Sequence, residues 1–266
     1  MGETSSKNTE AGKQAAENQF HRSDFEHREE MDSKYDNRFG EISFVDSYGG
    51  NADSIMKKRL KFKAARGFAT AGKNKKQRLN FDHRYFAKLY DYDAGYVESS
   101  TIGLFSDDES VFQISCYFDY FANDLEQEMQ TRIDDGYQFN GDELYQMART
   151  MITANYYLQT NKMKHGDIRP CFILLNSSND YRLIENLRDL PGRGPATALM
   201  AETTIYCSPV VYENLRKNVT KFDHDKSRSD VFSLGLCILE AGLGHSIQDI
   251  YNHDKGKFNE TILQDH

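Results

Sequence analysis

An imidazole, a carboxylate and a guanidinium fall within one short run, His165-Gly166-Asp167-Ile168-Arg169-Pro170-Cys171-Phe172-Ile173-Leu174-Leu175. A carboxylate held in such a loop can orient a hydroxyl and accept its proton. Taken alone, a His-Gly-Asp triplet is more often a surface turn, so the chemistry of Asp167 depends on the elements around it. The second charged feature is basic. From Ser54 to Phe81 there is no acidic residue, while Lys57, Lys58, Arg59, Lys61, Lys63, Arg66, Lys73, Lys75, Lys76 and Arg78 all carry positive charge. On a chain of net charge −8 this is a strong local positive field. It would suit an acidic partner surface, although a run of this kind is as readily a solvated face.

The chain's 266 residues, 38% of them hydrophobic, can bury one sizeable core or two small lobes with a polar tail left over. The acidic balance argues against general nucleic-acid binding, which usually shows a basic domain. Cys116, Cys171, Cys207 and Cys237 lie far apart beside apolar residues, without C-x-x-C spacing. They read as reduced core thiols rather than a zinc site or a disulfide framework. No apolar run reaches the roughly 18 residues of a membrane span, and no hydrophobic signal region opens the chain. A cytoplasmic protein is the expectation.

Residues 1–34 are rich in Ser, Asn, Glu, Lys and Gln and cannot bury enough surface to fold alone. They read as an arm that is disordered or bound to a partner. Alternation of Phe39, Ile42 and Phe44 predicts a strand over 38–45, and a second short strand falls over 53–58. Lys61 to Leu79 is helix-tolerant despite Gly67 and Gly72. Phe86, Leu89, Tyr90 and Tyr92 then precede a loop, and Val111 to Tyr117 is a strand. Leu144, Met147, Ala148, Met151, Ile152 and Leu158 recur at helical spacing over 141–163, leading directly into the His165 run. A short hairpin follows, Phe172–Leu175 with Tyr181–Ile184, and Asp230 to Leu243 is apolar almost all round, the mark of a buried helix.

In this order the elements resemble the protein-kinase superfamily over roughly residues 35–250. The family's catalytic loop, H-R-D-L-x-x-x-N, is matched by His165 to Phe172. Thr203-Thr204-Ile205-Tyr206-Cys207-Ser208-Pro209-Val210 is similar to the end of an activation segment. Ser229-Asp230-Val231-Phe232-Ser233-Leu234-Gly235 is similar to the helix that underlies the catalytic loop. The resemblance implies an α+β, bilobal protein kinase-like fold. Its small β-rich N-lobe would span 35–120, and its mostly helical C-lobe, lacking most of the last helices, would span 121–266.

The resemblance also assigns roles, and departures from the family pattern weaken them. Asp167 would be the base and Arg169 its neighbour, both vestigial. Phe172 stands where the family has a metal-binding Asn, and a hydrocarbon ring cannot replace an amide oxygen on Mg²⁺. Glu185-Asn186-Leu187 stands where Asp-Phe-Gly is expected, leaving Glu185 as the remaining metal candidate. Gly40 would be the last glycine of the phosphate-covering loop, with Tyr35 and Asn37 at earlier glycine positions. Lys57 would be the phosphate lysine, or Lys58 if the register slips by one. No Glu occurs between Glu41 and Glu98 to pair with it. The implied protein is a catalytically inactive kinase-like subunit of a larger assembly, with no cofactor. It would bind protein partners through the basic run, an acidic cytoskeletal surface among them, with a cytoskeletal or ciliary location as the extension of that idea. Two alternatives remain: an unusual phosphotransferase using ATP and Mg²⁺ through Asp167, Lys57 and Glu185, and a regulator of an active kinase.

Overall fold

The computed structural model describes residues 31–36, 38–45, 55–62, 65–97, 111–176, 178, 180–185, 205–219 and 222–266. Residues 1–30 of the expected arm over 1–34, Asn37, Asn186, Leu187, Thr203 and Thr204, Lys63, and the side chain of Arg66 lie outside the described residues. The fold is α+β.

Five antiparallel strands make the main sheet: β1 (Met31–Asp36), β2 (Gly40–Val45), β3 (Ile55–Phe62), β4 (Leu89–Val97) and β5 (Val111–Asp119), in the order β1-β2-β3-β5-β4. β1 starts inside the stretch read as an arm. The sequence also misplaces Leu89–Val97 as the approach to a loop. Asp91, Asp93 and Gly95 disguise its strand propensity, but β4 pairs with β5 from Leu89 opposite Phe118 to Val97 opposite Val111, and that partner decides.

The β1–β2 turn requires a glycine. Gly40 sits at φ +74°, where a Cβ would be strained and would lie 3.5 Å from the Lys58 ammonium. Gly40→Ala is expected to cost about 1–2 kcal/mol, read by urea unfolding.

Helix α1 (Ala65–Arg78) crosses from β3 to β4 and packs on the sheet, with Phe68 stacked on Phe112 at 5.0 Å between ring centroids. The helical part begins at Asp124, which caps α2 (Leu125–Asp135) by accepting from the Gln127 N–H. Gly136 closes that helix in the left-handed region. Asn140 and Glu143 form a capping box on α3 (Gly141–Thr160), two orphan N–H groups being satisfied reciprocally. Pro209 opens α4 (Pro209–Arg216), where its missing N–H costs nothing. α5 (Lys226–Leu243) is the expected buried helix, and α6 (Glu260–Asp265) closes the chain.

The expected hairpin is β7 (Ile173–Leu175) with β8 (Tyr181–Leu183), extended by β6 (Asn123–Asp124) on the β7 side. A two-stranded ribbon, β9 (Tyr251–Asn252) with β10 (Lys257–Phe258), precedes α6.

Two apolar clusters hold the molecule together. One lies among α2, α3, α4 and α5 around Met147, Met151, Leu158, Leu234 and Cys237. The other begins under the main sheet with Phe39, Ile42, Met56, Ile114 and Phe118. It continues without a break into Cys171, Phe172, Leu174 and Ile184 of the segment after the His165 run. That continuity decides what lies between the sheet and the helices.

Candidate functional site

The His165 loop is held from below. Asp230, in the second turn of α5, accepts from the backbone N–H of His165 at 2.9 Å and of Gly166 at 2.8 Å. Gly166 takes φ +81°, which lets consecutive amides point at one carboxylate. The imidazole Nδ1 accepts from the Asp167 N–H at 3.3 Å, so Nε2 carries the proton and donates to the Ile184 carbonyl at 2.8 Å. Asp230 appears in the sequence only as part of a helix pattern; its role as anchor emerges from the contact across 65 residues.

Asp167 and Arg169 are brought together as a buried pair, with Nε and one Nη of the guanidinium each 2.7 Å from a different carboxylate oxygen. Burial alone would lower the Arg169 pKa, but Asp167 outweighs it and raises it. A carboxylate clasped in this bidentate geometry has both oxygens engaged by a permanent cation. It holds the loop's shape, and the proton of an incoming hydroxyl would have to compete with the guanidinium.

Phe172 closes a short 3₁₀ turn, its N–H donating to the Arg169 carbonyl and its own carbonyl accepting from Ile184 N–H, both at 3.0 Å. The ring is fully buried in the apolar cluster that also holds Phe39, Met56, Phe118 and Leu174. This position belongs to the core.

Glu185 lies at the end of the same hairpin and is ion-paired with Lys75 of α1. Burial would push its pKa up, but Lys75, then Arg78, bring it below the ordinary carboxylate value. Arg78, one turn on, donates to the Ala87 carbonyl at 2.5 Å and lies over Phe81 and Phe86. Burial pulls its pKa down to about 10, so it stays charged at neutral pH. The helix thus presents Phe68, Ala71, Lys75 and Arg78 on its packed side, with the cations continuing an apolar stripe.

The two lysine candidates on β3 lie on opposite faces of the sheet. Successive strand residues face opposite sides, and it is Lys58, fully buried, that shares the covered face with Met56 and Leu60. Its ammonium donates to the Glu41 carbonyl at 3.1 Å, directly beside Gly40. Lys57 is half-buried on the other face, over the Tyr117 ring at 5.6 Å. The basic run is likewise not one surface. Lys58, Lys75 and Arg78 are buried, Lys57 and Arg59 are half-buried, and Lys61, Lys73 and Lys76 are exposed. Asp91 and Asp93 lie in register with Lys57 and Arg59 across β5, which further dilutes the field there.

A second buried ion cluster escapes sequence reasoning. Arg38, in the β1–β2 turn, holds Asp36 through Nε at 3.0 Å and Nη2 at 2.8 Å, and reaches Asp124 at the start of α2 at 3.4 Å. All three are nearly inaccessible, and Phe39 beside them is core. The turn is therefore tied down onto the helical part. A separation of 86 positions hides the contact between Arg38 and Asp124, and the only local signal is the run Asp36-Asn37-Arg38.

Burial raises the Asp124 pKa to about 6, against the opposing pull of its cap bond and of Arg38. Because the folded state holds this proton more tightly than the unfolded chain does, Asp124 contributes stability as pH falls from about 6 toward 3.8. Asp124→Asn keeps a cap acceptor and removes the titration. The stability difference between the two proteins, measured by urea unfolding, is expected to change across that window and to be flat above it.

These residues do not fit a nucleotide with its metal ion. The carboxylate expected to ligate the metal is engaged by Lys75, the other ligand position is a buried ring, and the lysine on the covered face is drawn up to the β1–β2 turn. Among the described residues, no group of three or more His, Cys, Asp or Glu side chains could hold a metal ion, and no helix is long and apolar enough to cross a membrane. No protein-family model matches the chain, and no curated protein matches it.

Proposed function

We propose that this chain is a kinase-like protein that transfers no phosphate, a pseudokinase acting as a protein-binding subunit of a larger assembly. The observation that carries this reading is the filled space between sheet and helices: Phe39 and Phe172 share one apolar cluster, and two further ties, Arg38–Asp36–Asp124 and Lys75–Glu185, bind the β1–β2 turn to α2 and α1 to the hairpin. The sheet order β1-β2-β3-β5-β4 with a helix between β3 and β4, and a His-x-Asp loop seated on a buried helix, support the bilobal part of the proposal. In a working kinase the helix supplies a Glu to the strand lysine and the Asp-Phe-Gly acid holds magnesium. Here the helix supplies Lys75, and it neutralises the acid instead.

Kinase catalysis is almost entirely positioning and electrostatic stabilisation. With the metal positions and the base all committed to intramolecular partners, little of either remains. Among the described residues, Lys61, Lys73 and Lys76 are the exposed members of the basic run, and they would meet an acidic partner such as a cytoskeletal surface.

The test is transfer of label from γ-labelled ATP with Mg²⁺ to generic acceptor proteins by the full chain. No transfer above that of an Asp167→Asn variant is expected; transfer that this substitution abolishes would sink the proposal. Migration in cell extract at the chain's own mass of 30.7 kDa would remove the assembly part.

A further inference from the structure

A cavity of about 210 Å³ lies between α2 and the end of α5, lined by none of the side chains that fill the cleft. Met129, Ile133 and Phe139 give it apolar walls, and Glu240, Tyr206 and Glu126 supply polar groups. Glu240 is only 8% exposed and its Oε2 has no hydrogen-bond partner. A buried carboxylate oxygen left without a donor is costly and calls for a missing one. Arg132 also lines the cavity, but it is committed to Glu128 at 2.8 Å and to Glu143 at 2.8 Å and 2.9 Å, with its guanidinium lying 3.8 Å from the centre of the Phe139 ring. Glu126 and Glu240 therefore both line this space, Glu240 hydrogen-bonded to Tyr206 but with Oε2 unmatched, while the guanidinium is already neutralised.

We propose that the cavity binds a small organic cation, an amidinium or ammonium head on a compact apolar body, with the head on Glu240 and the body against Met129, Ile133 and Phe139. The size suits such a molecule, since an apolar cavity of roughly 150 Å³ accommodates benzene. Charge selects its sign. Burial and the neighbouring Glu126 both push the Glu240 pKa up, and a bound cation would relieve both penalties. The site is independent of what the cleft does or fails to do.

Benzamidine and its uncharged isostere benzamide are the probes, titrated into the full chain and read by thermal unfolding and calorimetry. Benzamidine is expected to bind about tenfold or more tightly than benzamide, and Glu240→Gln to erase that preference. Equal binding of the two probes to the native chain, or no binding of either, would overturn the proposal without reference to any variant. So would a benzamidine preference that survives in folded Glu240→Gln.

Discussion

Phe172→Asn, which puts an amide where a kinase would hold its metal, is expected to lower stability by about 3–5 kcal/mol and to create no nucleotide site. The ring is fully buried in the cluster that joins the sheet to the β7–β8 hairpin, so its removal leaves a cavity at the junction of the two parts. The incoming amide would then be buried in that apolar cluster, at about 1–3 kcal/mol for each of its groups left without a hydrogen-bond partner. In thermal unfolding this corresponds to a drop on the order of 10 °C. Phe172→Leu, which keeps the site apolar, should cost far less. If Phe172→Asn were as stable as the parent, the position would not be core, and the filled cleft would lose its centre.

The second large effect belongs to Lys75 and Glu185. Removing either partner alone is expected to cost about 3–5 kcal/mol, because it strands the other charge where water reaches it poorly. Glu185→Gln should be the more severe, since it removes the acid paired with Lys75 and one of the two acids, with Asp119, that act on Arg78. Replacing both members with apolar residues, Lys75→Leu with Glu185→Leu, is expected to recover most of the loss, as buried pairs often exchange for hydrocarbon at little net cost. A double-mutant cycle by urea unfolding reads the coupling directly. The pH dependence has a definite sign. A carboxyl whose folded pKa lies below its unfolded value contributes stability above the ordinary carboxylate range and loses it as pH falls below that range. Glu185→Gln should therefore flatten the acid limb of the stability profile.

Much of the frame is legible in the sequence because it rests on local pattern. The 3.6-residue spacing of Leu144, Met147, Met151 and Leu158 yields α3, and the all-round apolar run after Asp230 yields most of α5. Turn residues between two short runs, Ile173–Leu175 and Tyr181–Leu183, yield the β7–β8 hairpin. The site is harder. Choosing between Lys57 and Lys58 requires knowing which face of β3 is covered, and a one-residue shift reverses the answer. A lack of acids over residues 54–81 suggests a surface patch, yet acids from elsewhere meet the segment: Glu185 from the hairpin pairs with Lys75, and Asp91 and Asp93 lie in register with its strand lysine and arginine on the far side of β5. One signal was available. Lys75 and Arg78 continue the spacing set by Phe68 and Ala71, which marks them as members of the helix's packed side. The Arg38–Asp124 contact has no such signal, because neither residue's neighbours point to the other.

On the proposed function, the chain's own side chains occupy the space a nucleotide would need. Thermal unfolding of the purified full chain with and without ATP, each with and without Mg²⁺, tests it most directly, because a ligand that binds only the native state must raise its stability. No shift under any of the four conditions is the predicted result, while a Mg²⁺-dependent rise that disappears in Glu185→Ala would contradict it.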